Sequence, residues 1–215
     1  MTDEHWPAYY AVTVDRPPWR TVLTALDRFD ADDPPGEPPT TDQPLPFAVD
    51  LGCGAGRDAR EILRRGWRVL AIDREPAAIA TLEAATPAAD RERLTTRIAD
   101  LDGVAIPPCD LVNASISLPF LPEPAYWRTW AAALAAVRPG GRVAAMLFGD
   151  RDQSVGDPTM TCPSPDAIRA TLSDFEVEHW SDDEDDGQTA LGEPHHWHII
   201  EVVARRVPVS GAGGR

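Results

Sequence analysis

Between Phe47 and Gly66 the chain reads FAVDL, then GCGAG, then RDAREILRRG: an apolar run of strand length, three alternating glycines, and a helical stretch stopped by glycine. Few architectures accommodate that order. A strand with almost no polar residue is covered on both faces, as in a parallel sheet sandwiched between helices. The glycines let the backbone turn sharply and let a ligand approach where a β-carbon would block it. The helix that follows presents the unpaired N–H groups of its first turn at the same point. Gly52, Gly54 and Gly56 therefore mark both a topology and a candidate site.

The rest of the chain repeats the alternation. Apolar runs occur at 47–51, 68–73, 95–100, 110–115 and 142–148, with helical stretches between them. One helix is predicted from about Arg57 to Gly66. Another, from Pro124, places Trp127, Trp130, Leu134 and Val137 on a buried face before RPGG at 138–141, and Ser164-Pro165 caps a third to about Leu172. FEVEHW (175–180) and HHWHIIEVVARR (195–206) alternate like the two arms of a closing hairpin. The expected fold is α/β: a doubly wound, mostly parallel seven-stranded sheet with a C-terminal antiparallel β-hairpin and helices on both faces. Before it, Trp19, Val22, Leu23, Leu26 and Phe29 give a buried stripe to a helix over 17–29. The expected organisation is an N-terminal helical lid (1–30), a linker with six prolines (31–46), a ligand-binding domain (47–206) and a flexible tail (207–215).

Composition narrows the chemistry. The 215 residues carry 35 acidic and 20 basic side chains, a net charge of −15, and every basic one is Arg. Without lysine there is no Schiff-base, pyridoxal-phosphate or P-loop lysine. The negative field disfavours nucleic acid and anionic membranes, and no apolar run reaches the ~20 residues of a spanning helix. The acidic, aromatic start does not read as a signal peptide, and Cys53, Cys109 and Cys162 contain no CxxC, so a reducing cytoplasm is the expected location. No metal site is expected.

Three carboxylates sit at successive strand ends. Asp50 closes the first strand, Asp73 closes the second 21 residues beyond Gly52, and Asp100 closes the third, followed by Leu101. An acid at the position of Asp73 accepts ribose hydroxyls in nucleotide-binding βαβ units. Asp100 is placed to accept from an adenine amino group while the next N–H serves a ring nitrogen. Each alone reads equally as a turn-former, but together they describe an acid-lined crevice that suits a cation and repels phosphate. A dinucleotide fingerprint needs a third glycine where this chain has Arg57, which weakens a nicotinamide-dependent oxidoreductase as the alternative.

AVDLGCGAGRDA, VLAID, RIADLDG and RPGGRVAAMLFGDRD together resemble, in order, the motifs of class I S-adenosylmethionine (SAM)-dependent methyltransferases over residues 47–206. Within that class the chain is most similar to small single-domain enzymes of the tellurite-resistance and thiopurine methyltransferase type. The resemblance implies a Rossmann-like core, SAM as methyl donor, S-adenosylhomocysteine (SAH) as product and a small-molecule acceptor. It places Gly52 and Gly54 beside the methionine portion, and Asp50 near its amino group, directly or through water. Asp73 would hold the ribose, Asp100 with Leu101 the adenine, and Asn113 would border the methionine end, with Cys53, Gly56 and Arg74 as further cofactor-binding residues. The absence of an Asn-Pro-Pro-Tyr motif after the fourth strand disfavours DNA-base methylation. A non-catalytic SAM-binding protein is the remaining alternative.

Methyl transfer from a sulfonium needs alignment and water exclusion more than a catalytic side chain, and a base only for a neutral acceptor. Candidates for contacts to the acceptor are Trp6, Tyr9 and Tyr10 in the N-terminal segment, Phe120 after the fourth strand, and Phe148 and Arg151 after the fifth, with core packing equally open for the two phenylalanines. Asp150, His196 and His198 are the weak candidates for a base. The two histidines share a strand face on the expected ligand side, and a structural or surface role is the simpler reading for each. DDEDD (182–186) reads as a solvated hairpin loop, with steering of cationic acceptors as its alternative. Cys53 reads as a packing residue rather than a nucleophile.

Overall fold

The five apolar runs pair in parallel, with the last two strands closing the sheet as a hairpin. The computed structural model describes residues 5–32 and 44–208. Strands β1 (Phe47–Leu51), β2 (Arg68–Asp73), β3 (Leu94–Ile98), β4 (Cys109–Ser115), β5 (Val137–Phe148), β6 (Phe175–Gln188) and β7 (Pro194–Arg206) form a single sheet in the order β3-β2-β1-β4-β5-β7-β6. β7 lies antiparallel to both its neighbours. The chain steps outward from β1 to β3, then returns to the other side of β1 with β4. This reversal opens a crevice at the carboxyl ends of β1 and β4.

Successive strand residues face opposite sides, so each strand feeds two cores. Val49, Leu51, Leu70, Ile72, Val112, Ala114, Val143 and Leu147 pack with Trp130 and Leu134 of α5 (Glu123–Ala136) and Ile168 of α6 (Pro165–Ala170). Ala48, Val69, Ala71, Leu111 and Ala144 pack instead with α2 (Arg20–Asp32), α3 (Arg57–Arg64) and α4 (Pro76–Ala85), through Val22, Leu26, Ile62, Leu63, Ile79 and Leu82. Helices thus cover both faces. Ser164 caps α6 by accepting from the Ala167 N–H at 3.2 Å.

Four boundaries differ from the sequence reading. The first helix is α1 (His5–Thr13), ahead of the predicted one; its WPAYYAV run is apolar on all sides and gives no 3.6-residue stripe. α2 starts after Trp19, because the Trp19 N–H donates to the Asp58 carboxylate at 2.9 Å instead of entering the helix. β5 begins at Val137, so Val137 is a strand residue and RPGG forms an irregular strand start; a β-carbon on Gly141 would meet the Asp110 carbonyl oxygen at 2.6 Å. Finally, DDEDD is strand, not loop. Asp182, Glu184 and Asp186 alternate on one face of β6, where His198, Arg151 and His196 pair with them, and Asp183 and Asp185 are exposed. An edge strand loaded with charge also resists pairing with another chain.

The expected proline-rich linker falls largely at 33–43, and the expected tail largely at 209–215; both stretches lie outside the described residues. No helix among the described residues is long and apolar enough to cross a membrane.

Candidate active site

The glycine turn after β1 forms the floor of a cavity of about 520 Å³ at the sheet's reversal point. Gly52 and Gly54 hold φ of +69° and +52°, and neighbours press on both. A β-carbon on Gly52 would stand 2.3 Å from that of Ser117, and one on Gly54 would stand 3.0 Å from the Tyr10 ring. The turn therefore packs against the β4 exit loop on one side and α1 on the other. Ile116 in that exit loop has φ +51°, a strained value for a β-branched residue, and it also lines the cavity.

Asp73 is held by two backbone donors. Its carboxylate accepts from the Gly54 N–H at 2.8 Å and the Glu75 N–H at 2.9 Å, linking the end of β2 to the glycine turn. Burial raises its pKa, and those N–H bonds oppose the rise. Asp100 and Leu101 complete this flank, with the Asp100 carboxylate accepting from the Asp102 N–H at 3.0 Å.

A third carboxyl, that of Asp50, is buried on this wall. It stands opposite Asn113 across the β1–β4 pair, and the Asn113 amide donates to Asp50 Oδ1 at 2.8 Å and to Asp58 Oδ2 at 3.1 Å. Asp50 Oδ2 is buried with no hydrogen-bond partner. Burial, then the negative charge of Asp58, push Asp50 well above the usual carboxylate range. A buried acceptor left unpaired on a cavity wall costs on the order of 1–3 kcal/mol until a donor, best a cation, arrives. Burial, with Asp50 and Asp73 adding to it, raises the Cys53 thiol, which keeps it protonated and unreactive.

Aromatic rings also line the cavity. Trp6 meets Phe120 edge-on at 5.0 Å between centroids, Phe120 meets Phe148 at 5.9 Å, and Phe148 meets Trp197 at 5.6 Å. Tyr9, Tyr10 and Arg74 also line it, and the Arg74 guanidinium lies 6.0 Å from the Trp6 ring centre.

The structure thus brings Asp50, Gly52, Cys53, Gly54, Asp73, Arg74, Asp100 and Leu101 to one cavity with Trp6, Tyr9, Tyr10, Phe120 and Phe148. Gly56 and Asn113 stand behind the wall, Gly56 against Leu82. Asp150, Arg151, His196 and His198 do not line it. His198 is fully buried, accepting at Nδ1 from the Arg151 N–H at 3.0 Å and meeting Asp182 at 2.7 Å through Nε2. His196 lies between Asp186 and Glu184, which raise its pKa. The pleat decides this: His195, Trp197 and Ile199 take the cavity side of β7 and their neighbours the other.

Sequence reasoning missed Asp58, Trp19, Trp197 and His195. Asp58 follows the glycine motif, and alternation in HHWHII gives two faces, of which that of His195 and Trp197 lines the cavity. The Arg57 that replaces a third glycine lines the same cavity, its Nε donating to the Pro17 carbonyl at 2.9 Å and its guanidinium lying 4.2 Å over Trp19.

Residues 48–141 match the profile of the methyltransferase domain family. Over that stretch the chain is similar to a methyltransferase domain, and the match spans under half of its 215 residues. Solved structures share the fold at low identity. TehB from Haemophilus influenzae is 18% identical with a TM-score of 0.62, the match covering 84% of this chain and 61% of TehB, so this chain spans under two thirds of that protein. A 1,6-didemethyltoxoflavin-N1-methyltransferase from Burkholderia thailandensis, solved with 1,6-didemethyltoxoflavin and SAH, is 19% identical with a TM-score of 0.62 over 95% of this chain and 85% of that one. A SAM-dependent methyltransferase from Mesorhizobium loti is 20% identical with a TM-score of 0.60 over 90% of this chain and 100% of that one. A search of curated protein sequences finds no match.

Proposed function

We propose that this protein transfers a methyl group from SAM to a small-molecule acceptor by in-line displacement, releasing SAH. The observation that carries the reading is the convergence of Asp50, Asp73 and Asp100 on the glycine turn, with Asp50 Oδ2 buried and unpaired. A cationic amino acid moiety meets that oxygen's need for a donor, and a phosphate-bearing cofactor would be repelled by it. In this reading Asp50, held by Asn113, takes the ammonium group. Asp73 takes the ribose hydroxyls beside Arg74, and Asp100 with the Leu101 N–H takes the adenine. Gly52, Cys53 and Gly54 border the methionine portion.

When bound, SAM supplies a methyl carbon already activated by its sulfonium sulfur. The protein's share is alignment and exclusion of water. Tyr9 and Tyr10 of α1 lie over the glycine turn, so α1 serves as a lid. The faces of Trp6, Phe120 and Phe148 favour positive charge near them. A volume of about 520 Å³ lies within the ~300–1,000 Å³ of small-molecule sites. The aromatic wall suits a flat acceptor, the kind named for the Burkholderia enzyme, and the charge of −15 disfavours nucleic acid.

Calorimetry with SAH tests the reading directly. Micromolar binding is expected, with Asp73→Ala weakening it about 10- to 100-fold through lost charge-assisted hydrogen bonds. No heat with either SAM or SAH refutes it.

A further inference from the structure

His195 and Asp152 form a pair that neither the fold nor cofactor binding requires. Asp152 sits in the loop after β5, its side chain wholly buried. Oδ1 accepts from the Ser154 N–H at 2.9 Å and contacts His195 Nε2 at 3.1 Å, while Oδ2 accepts from the His198 N–H at 3.1 Å. A carboxylate surrounded by donors fixes Nε2 as the protonated nitrogen of His195. The lone pair is then on Nδ1, which has no hydrogen-bond partner among the described residues. His195 lines the cavity, with its ring 3.9 Å from that of Trp197, at the end of the aromatic series Trp6, Phe120, Phe148, Trp197.

We propose that His195 is the general base of this site, that Asp152 positions it, and that the acceptor is a planar aromatic compound methylated at a neutral hydroxyl or ring N–H. The proposal rests on the methyl-transfer reading and adds the acceptor class to it. A soft anion such as a thiolate attacks a sulfonium methyl unaided, so an oriented imidazole on the wall is useful only when a proton must leave. The acceptor's proton passes to Nδ1 as its oxygen or nitrogen lone pair forms the bond to the methyl carbon. The carbon–sulfur bond breaks with its electron pair going to sulfur. Asp152 steadies the resulting imidazolium, which returns its proton to water at the cavity mouth.

The charged surroundings leave the pair distinct. Gly187, opposite His195 on β6, brings no charge. Asp157 lies on the same cavity wall, and Glu193 precedes it, exposed, in the turn. On the far face of β7, His196 pairs with Glu184 and Asp186, and His198 with Asp182 and Asp150, with Arg151 among them.

The test compares wild type with His195→Gln and Asp152→Asn. SAH calorimetry comes first: unchanged affinity in the variants is expected, and no binding by wild type overturns the methyl-transfer reading itself. Methyl transfer is then measured with SAM and a panel of bicyclic phenols and ring N–H heteroaromatics including 2-naphthol, beside 2-naphthalenethiol, which has the same shape but ionises readily. In His195→Gln the rate on the phenol should fall about 10²- to 10⁴-fold while the rate on the thiol holds, and Asp152→Asn should fall in the same direction by less. The phenol-to-thiol ratio is internal to each sample, so partial misfolding does not mimic it. In wild type the phenol rate should level off once the imidazole is neutral; in His195→Gln it should keep climbing with phenolate concentration. Independent of turnover, 4-nitrophenol added to the SAH complex should show its phenolate absorbance at mildly acidic pH in wild type and lose it in His195→Gln. Equal losses on phenol and thiol, or no transfer to any phenol or N–H compound by protein that binds SAH, overturn the proposal and leave the cofactor reading standing.

Discussion

Replacing Asn113 by Leu removes an amide that ties two buried carboxylates together while roughly keeping its volume. The Asn113 Nδ2 bonds to Asp50 and Asp58 are both made to buried acidic groups. Hydrogen bonds to charged groups are worth about 1.5–3 kcal/mol each, so the ceiling is about 3–6 kcal/mol. Asp58 keeps its bond from the Trp19 N–H, whereas Asp50 loses its side-chain donor and keeps only backbone support from Ala59. Asp50 escapes part of the cost by holding a proton, and this makes the loss depend on pH. Its pKa in the fold is raised above the unfolded value, so its contribution is full at acid pH and drains away as pH rises through the folded value. The Asn113 bond opposes that rise, and removing it pushes the group higher still. Urea unfolding should therefore show a loss of about 2 kcal/mol near pH 6, below the folded value of about 8, that grows by about 1–2 kcal/mol near pH 9.5, with unchanged m-value. A loss below about 1 kcal/mol, equal at both pH values, would refute the account of this cluster.

Asp50→Asn should act in the opposite sense, holding or raising apo stability near neutral pH because the cost of keeping a buried carboxyl protonated is gone, while SAH binding in calorimetry collapses. Gly54→Ala should cost about 1–2 kcal/mol in thermal or urea unfolding, since its φ of +52° is unfavourable for alanine and the new methyl meets Tyr10. Arg142 is 1% exposed, bonded to Glu178 at 2.6 Å and Asp32 at 2.7 Å and stacked on Phe29, so Arg142→Met should cost roughly 3 kcal/mol, with SAH affinity unchanged.

The parallel core was legible because burial on two faces writes largely apolar runs into β1, β2 and β5, and the hairpin ending was legible from alternation, whereas the edge strand β3 is polar and partly exposed. The glycine turn and the acids at strand ends were legible for a related reason: in a doubly wound sheet, the residue closing a strand is already at the ligand side. α1 was not, because a segment covering a cavity from above is apolar in every direction and shows no stripe. The acidic run of β6 was not, because its partners Arg151, His196 and His198 come from other segments, and an unpaired row of carboxylates is indistinguishable from a solvated loop.

Local sequence therefore determined the order of elements and the acidic character of the cavity beside the glycine turn. Tertiary structure alone decided which face of β7 looks inward, placing His195 and Trp197 rather than His196 and His198 on the wall. It also decided that Asn113 serves Asp50 from behind, and that Asp152, 43 residues from His195, lies under that ring. The physical reason is the pleat: a shift of one residue along a strand exchanges its faces, and only the pairing register across the sheet fixes which one applies.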